Sequence, residues 1–507
     1  MNFAKVRSVA VVGLTAYLVD VEVNIESQAL PKFEIVGLPG KAVEEAKERV
    51  RSAIKTSGFD YPNKKIVVNL APADIQKEGP VYDLPIAVGI LLADGKLTLP
   101  NIDDFVFLGE LSLDGNLRGV NGVLPAGIFA LQNNLKVACS WHNINELALI
   151  KNLCYLPSLT LSSLINSLKN LHDNLIISDG LLQNDKDLKK DEQEVRFEHI
   201  KGQEIAKRAM EIAASGGHNI LLDGPPGCGK SLLAKALSSI LPDLNENEQL
   251  EVSSIHSIVG LNKNGILKKR PIRTPHHSIS KAGLIGGGSN IKPGEISLAH
   301  RGVLYLDEFP EFPRTVLESL RQPIEDGKVS ISRVSGNITF PCEFMLVASQ
   351  NPCPCGYYGT NIKNCICSMN TVNNYRGKVS GPLIDRIDLF VTLEPVLIEK
   401  LLGGEEVETE PSSKVANRVQ RARDIQSNRY KDLGYLTNAE IPISKIKQFC
   451  NLNTEERNFL TQASNKYGLS ARAVNRVLKV ARTIADIEGV PDIKLNHLAE
   501  AVAYRKL

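Results

Sequence analysis

The chain is 507 residues long, with 43% hydrophobic residues, 23% charged residues and a formal net charge of +2. That length accommodates about three domains, and the balance is that of an ordinary soluble globular protein. A net charge so near zero excludes a global field drawing the whole molecule onto nucleic acid, so any such surface has to be local. No apolar run approaches the ~18 residues of a membrane span, and the opening MNFAKVRSVAVVG alternates apolar and polar residues instead of forming a signal-peptide core. Four of the nine cysteines lie between Cys353 and Cys367 and the rest are scattered, a pattern that suits a reducing cytoplasm better than a disulfide framework.

Residues 8–23 alternate apolar and polar side chains, as a half-buried strand pair does, and 32–36 reads as a further short strand. Val43, Ala46, Val50, Ala53 and Ile54 follow helical spacing. A strand is predicted over 65–70, an apolar helix over 83–92, and a strand over 105–113 that runs into a turn at Asp114-Gly115. Together these predict an α+β domain over 1–175. Residues 176–196 are rich in Asp, Lys and Gln and read as a linker, with a solvated helix as the alternative.

Residues 197–400 carry a nucleotide-binding pattern. A helix with Ile205, Ala209, Ile212 and Ala213 on one face leads to the apolar run Asn219-Ile220-Leu221-Leu222-Asp223. GPPGCGKS follows at once: Gly224, Pro225, Pro226, Gly227, Cys228, Gly229, Lys230 and Ser231. The spacing fits G-x-x-x-x-G-K-[ST]. Glycines let backbone N–H groups fold around phosphate oxygens, and the helix beginning near Lys230 adds its positive end. Lys230 is placed to reach the β- and γ-phosphates, and the Ser231 hydroxyl to ligate Mg²⁺.

Residues 251–300 show little periodicity and hold a basic cluster, Lys268, Lys269, Arg270 and Arg273, followed by His276-His277. Adjacent histidines point apart on regular backbone, which favours loop packing or a partner contact over a metal. The run Gly302-Val303-Leu304-Tyr305-Leu306 ends in Asp307-Glu308. At the end of a parallel strand beside the phosphate loop, Asp307 would hold Mg²⁺, and Glu308 would orient and deprotonate the attacking water. Turn chemistry at 325–328 and 335–337 brackets a predicted β-hairpin, and a buried strand over 344–349 ends at Gln350-Asn351. Cys353, Cys355, Cys365 and Cys367 form C-x-C-x9-C-x-C, which fits either a tetrahedral zinc site or reduced thiols in a turn-rich excursion. Residues 401–507 read as helical, with a basic stretch containing Arg418, Arg421, Arg423 and Arg429. Within 470–486, Ala471, Val474, Leu478, Ala481 and Ala485 make an apolar face beside Arg472 and Arg476.

The ordered set GPPGCGKS, LYLDE, QNPCPCG, GPLIDRID and LSARAVNRVL covers most of the chain. It resembles the YifB/ComM-type, magnesium-chelatase-like AAA+ ATPases. The resemblance implies an α/β fold class: an AAA+ phosphate-loop core with a parallel sheet over 197–400, an α+β Lon-protease-like domain before it, and an all-α lid over 401–507. The front segments KEGPVYDLPIA and GELSLDGNLRGVNGVL are similar to the Lon-protease domain and to the rear domain of the RadA recombination factor. The positions of the catalytic Ser and Lys of the Lon family align with Val81 and Leu124, which implies a retained fold without peptidase chemistry. The segment 200–203 would lie near the adenine.

Residue by residue, the resemblance implies Asn351 as sensor 1, Arg386 as an arginine finger acting on a neighbouring subunit's nucleotide, and Arg472 as sensor 2, with Arg476 as its alternative. The hairpin would face a central pore, with Arg333 and Lys328 as candidate DNA contacts. The function implied is an ATPase, with ATP and Mg²⁺, working as a cytoplasmic homo-oligomeric ring, a hexamer, on single-stranded or branched DNA: a branch-migration helicase or translocase of recombination or natural transformation. The alternatives are a chelatase-type motor remodelling a protein partner and a nucleotide-switched scaffold; the paired Asp307-Glu308 argues against the scaffold.

Overall fold

Period-two alternation over the first 26 residues builds a long antiparallel hairpin, Phe3–Val12 with Thr15–Glu26. Val19, Val21, Val23 and Ile25 all turn to one buried face, as the pleat requires. The computed structural model describes residues 2–99, 101–170, 174–180, 195–262, 267–288, 291–333, 336–361, 363–395 and 410–505. The chain divides into two units: Met1–Leu188 with Glu246–Leu267, and Lys189–Asn245 with Lys268–Leu507. No helix of the described residues is long and apolar enough to cross a membrane.

The first unit is built on an eight-stranded mixed sheet. Its order is Ile176–Ile177, Cys154–Ser158, Lys136–Ser140, Phe105–Leu108, Phe3–Val12, Thr15–Glu26, Lys65–Ala71, Lys32–Val36. The helix Asp83–Ala93 is buried along nearly its whole length because it packs on both the central hairpin and the helix Ala46–Thr56. The predicted helical face holds: Val43, Ala46, Val50, Ala53 and Ile54 are all buried, although the helix breaks at Glu45 into Lys41–Glu44 and Ala46–Thr56. The strand expected over 105–113 ends at Leu108, and Glu110–Leu111 turns away to pair with Leu117–Arg118. Ile176–Ile177 is an edge strand antiparallel to Cys154–Ser158, where a linker was expected; residues 181–194 of that linker lie outside the described residues.

The second unit carries a five-stranded sheet in the order Ile272–Arg273, Val303–Leu306, Met345–Gln350, Ile220–Asp223, Leu389–Thr392, parallel throughout. Both faces are covered, and the central strands are accordingly continuous apolar runs (Ile220, Leu221, Leu222; Val303, Leu304, Leu306) with no exposed side. The helix Glu204–Gly216 feeds the strand Ile220–Asp223. Its buried face is Ala206, Ala209, Met210 and Ala213, with Ile212 also buried. Ile205, expected on that face, is 70% exposed.

Residues 246–258, expected to be irregular at their later part, form a helix, Glu246–Ile258, that belongs to the first unit. There the Gly122 N–H donates to the Ser257 carbonyl at 3.0 Å, and Ser257 Oγ donates to the Glu146 carboxylate. Apolar packing and these polar bonds thus lodge part of the 197–400 segment inside the front unit.

The C-terminal part of the second unit is helical, with Ser412–Arg429 and Ala471–Glu488 packed on Glu204–Gly216. The buried face of Ala471–Glu488 is Ala473, Val477, Val480, Ala481, Ile484 and Ala485. The face expected from the sequence is rotated relative to this one: Ala471 is exposed and Val474 and Leu478 are half-buried. The wide stripe of small and β-branched residues allows both registers, and packing selects between them.

Candidate nucleotide site

Three parallel strands end side by side: Ile220–Asp223, Met345–Gln350 and Val303–Leu306. Loops leaving the carboxyl ends of parallel strands form the crevice where α/β sheets bind ligands. From the first strand the glycine loop turns into the helix Lys230–Ala236, with Gly229 at φ +96°, a conformation a side chain would strain.

Lys230 is folded over this loop. Its Nζ donates to the Gly224 carbonyl at 2.6 Å, the Pro225 carbonyl at 2.9 Å and Asn351 Oδ1 at 3.0 Å. Burial is the largest influence on its pKa and lowers it, while Cys228, Asp223, Asp307 and Glu308 pull the other way. An ammonium held in a half-buried cradle of movable acceptors exchanges them readily for phosphate oxygens. Gln203 supports the loop from behind, donating to the Cys228 carbonyl at 3.2 Å and the Glu394 carbonyl at 2.6 Å.

Ser231 Oγ donates to Asp307 Oδ2 at 3.0 Å. Ser349 Oγ donates to the other Asp307 oxygen, and Tyr305 OH donates to Ser349 at 3.3 Å. Burial alone would raise the Asp307 carboxyl, but hydrogen bonds from Ser349, Tyr305 and Ser231 outweigh it and hold it below the ordinary carboxylate value. An ionised carboxylate beside a hydroxyl is the hard-oxygen donor set that suits Mg²⁺, so the residues fit the ion the sequence motif implies.

Glu308 sits at φ +53°, in the left-handed region, with its N–H directed to Asp307 Oδ1 at 3.1 Å and Ser349 Oγ at 3.3 Å. Non-glycine residues in this region concentrate at functional sites. The side chain meets His277, whose Nδ1 is 3.7 Å from Glu308 Oε2. His277 in turn stacks on His276 at 4.0 Å between centroids and meets Phe312 edge-on. The histidine pair therefore lies beside Glu308, with His276 exposed and His277 half-buried. Its link to Glu308 was not legible, because spacing alone does not place residue 277 opposite residue 308.

The remaining sequence candidates divide. Arg386 is 8% exposed; its Nη1 donates to the Pro382 carbonyl at 2.7 Å and its Nη2 pairs with Glu325. Arg472 Nη2 lies 3.6 Å from the other Glu325 oxygen, with its side chain 56% exposed. Arg476 pairs with buried Asp388. Burial would raise the Asp388 carboxyl, but Arg476 and His218 hold it well below the usual carboxylate range. Asp388 also accepts from the Asn219 N–H at 2.9 Å, which pins this segment to the base of the phosphate-loop strand. Arg476 is thereby committed within the chain, and Arg472 is the freer of the two.

The hairpin Lys328–Arg333 with Gly336–Pro341 forms in the expected register, Val329 opposite Phe340 and both buried. Lys328 is exposed at its base; Arg333 ends the first strand, and its side chain and residues 334–335 lie outside the described part. Of the basic clusters, Lys268, Lys269 and Arg421 are exposed, and the other arginines bond within the chain. Arg273 makes two bonds to Glu295, and Arg270 donates to the Pro242 and Arg301 carbonyls. Arg418 pairs with Glu211 and Glu410, Arg423 donates to the Ala214 carbonyl, and Arg429 pairs with Asp486. These arginines fasten helices together instead of forming a free patch. Cys353, Cys355, Cys365 and Cys367 bring their four Sγ atoms within 4.8 Å of one another.

Comparison with known proteins identifies the family. The family profile "Magnesium chelatase, subunit ChlI" matches residues 196–401, "Subunit ChlI of Mg-chelatase" matches 21–140, and "Magnesium chelatase, subunit ChlI C-terminal" matches 409–505. The chain is 43% identical over 509 residues to the competence protein ComM of Haemophilus influenzae, covering 100% of this chain and 98% of that protein. It is 42% identical over 515 residues to YifB of Escherichia coli, an uncharacterized protein, with the same coverage. A more distant similarity, 30% over 174 residues, links it to the magnesium-chelatase 38 kDa subunit of Rhodobacter capsulatus, over 31% of this chain and 50% of that subunit.

Proposed function

The chain belongs to the YifB/ComM-type branch of the magnesium-chelatase family, and from that premise we propose that it is an ATP-hydrolysing AAA+ motor that works on DNA as a cytoplasmic homo-oligomeric ring. The observation that carries the ATPase reading is the convergence of Lys230, Asn351, Ser231, Asp307 and Glu308 at the ends of three neighbouring strands. Lys230 and the loop amides hold the phosphates, and Asn351 orients the γ-phosphate or the attacking water. Ser231 and Asp307 would hold Mg²⁺, which neutralises phosphate charge when bound. Glu308 takes the proton of the attacking water.

Arg386 completes the site in the ring by reaching the nucleotide of the neighbouring subunit, and Arg472 is the lid arginine. Their shared partner Glu325 supports this reading, since one carboxylate holds both guanidiniums until a phosphate competes for them. The front unit is read as a Lon-type domain without peptidase chemistry, because Leu124 is a buried apolar side chain and Val81 a half-buried one.

DNA as the substrate, with branch migration as the activity, rests on the hairpin and on the similarity to a protein named for competence. The internal bonding of Arg270, Arg273, Arg418, Arg423 and Arg429 favours the second reading, a chelatase-type motor remodelling a protein partner, and hydrolysis rates separate the two. Phosphate release is to be measured alone and with single-stranded, duplex and branched DNA. Stimulation by DNA supports the motor on DNA; an unchanged rate with all three forms removes it.

A further inference from the structure

We propose that the four cysteines form a zinc site whose loop braces the phosphate loop, so that nucleotide affinity depends on the bound metal. The proposal rests on the nucleotide reading for its second half only.

The sulfur geometry is that of one enclosed ion. Cys353 Sγ lies 3.3 Å from Cys355 Sγ and 3.7 Å from Cys365 Sγ, and Cys355 and Cys365 are 3.5 Å apart. A tetrahedral site with Zn–S bonds of about 2.3 Å sets its sulfurs about 3.8 Å apart, whereas a disulfide requires about 2.05 Å; all four thiols are free. Backbone amides aim at the sulfurs as they do around bound thiolates: Tyr358 N–H to Cys353 Sγ at 3.3 Å and Cys367 N–H to Cys365 Sγ at 3.4 Å. Between Cys353 and Cys367 the described residues contain no helix or strand. A loop of this kind takes its shape from what ties its ends, and four convergent thiolates tie it through a metal. An all-thiolate tetrahedron selects zinc among divalent ions of fixed oxidation state.

The loop is in contact with the nucleotide site. Gly356 sits at φ +84°, and a Cβ built there would lie 2.6 Å from Cδ of Pro226, the third residue of the glycine loop. The Gly356 N–H donates to the Cys353 carbonyl at 2.9 Å, so the turn that meets Pro226 is the same turn that presents the first two thiols. Arg376 fixes its flanks, donating to the Pro352 carbonyl at 3.3 Å and lying 5.5 Å above the Tyr358 ring. Asn351, two residues before Cys353, bonds Lys230. The metal loop therefore backs the phosphate loop at Pro226 and steadies the strand end that carries Asn351.

The test uses the full-length chain. Plasma emission spectroscopy should find about one zinc per chain. Dialysis against the zinc chelator TPEN, which leaves Mg²⁺ alone, should weaken the affinity for the fluorescent analogue mant-ATP by about tenfold or more, and added zinc chloride should restore it. The double variant Cys355→Ser/Cys367→Ser should contain no zinc and show the same weakened affinity. Absence of metal, or iron in place of zinc, overturns the zinc site. Zinc that can be removed without changing mant-ATP affinity overturns the brace. Protein that holds stoichiometric zinc yet never binds mant-ATP supports the metal site and rejects the nucleotide reading instead.

Discussion

The Lys230 ammonium donates to Asn351 Oδ1 at 3.0 Å, across 121 residues of sequence. The bond joins the glycine loop to the end of the strand Met345–Gln350, and it exists because that strand lies directly beside Ile220–Asp223 in the sheet. The two side chains then bracket the space above the loop, one cationic and one an amide able to orient water. They are separable by experiment. Lys230→Ala removes the charge that binds phosphates, so mant-ATP binding should be lost. Asn351→Ala should leave binding near normal and lower kcat by about 10²-fold, the usual loss for one oriented polar group in a transition state. Equal losses of affinity in both variants would show that Asn351 belongs to binding and not to turnover.

Glu308 is held by its backbone at a strained φ of +53°, and its Oε2 lies 3.7 Å from His277 Nδ1. Glu308→Gln keeps size and hydrogen bonding but cannot accept a proton. Hydrolysis should fall by about 10²- to 10⁴-fold with mant-ATP binding retained. Near-normal phosphate release from this variant would take Glu308 out of the water-activating role.

The strands, the glycine loop and the acidic pair were legible because each is written locally: a run of Ile, Leu and Val, then glycines or Asp-Glu. The five-stranded order was not, since it depends on which loops cross over which face. Ile205 and the face of Ala471–Glu488 went wrong for a related reason. A helix with small residues all round offers several registers of similar hydrophobicity, and the neighbours choose. The partners of the basic residues at 418, 423 and 429 were not legible, because Glu211, Ala214 and Asp486 lie about 60 to 200 residues away in sequence. The helix Glu246–Ile258 was hidden by its polar composition and by its home in the other unit.

Arg386 and Glu325 form an ion pair with only a tenth of the arginine side chain exposed. If the pair is a resting clasp for a finger that serves the neighbouring subunit, subunits lacking Arg386 and subunits lacking Lys230 should complement. Arg386→Ala and Lys230→Ala proteins, each inactive alone by about 10³-fold or more, should regain measurable hydrolysis when mixed, with a maximum near equal proportions. Flat, inactive mixtures at every ratio would place Arg386 in a purely intramolecular role.

Glu146 and Ser257 tie the helix Glu246–Ile258 to the rest of the front unit, and they predict a pH dependence of stability. Burial, the largest influence, pushes the Glu146 carboxyl up from 4.5 to about 7, against the hydrogen bonds from Ser257 and the Leu124 amide. A carboxyl whose folded pKa exceeds its unfolded value binds its proton more tightly when folded. Stability from this group is therefore fully present below pH 4.5, declines as pH rises towards 7, and is flat above that. The span corresponds to about 3 kcal/mol at most. Glu146→Gln supplies a permanently neutral acceptor for Ser257 Oγ. Denaturant unfolding of the full chain, followed between pH 5 and 8, should show the wild type losing stability across the window while the variant stays level and is the more stable at pH 8. Parallel curves for the two proteins would mean that the Glu146 carboxylate is already ionised in the folded state at pH 5.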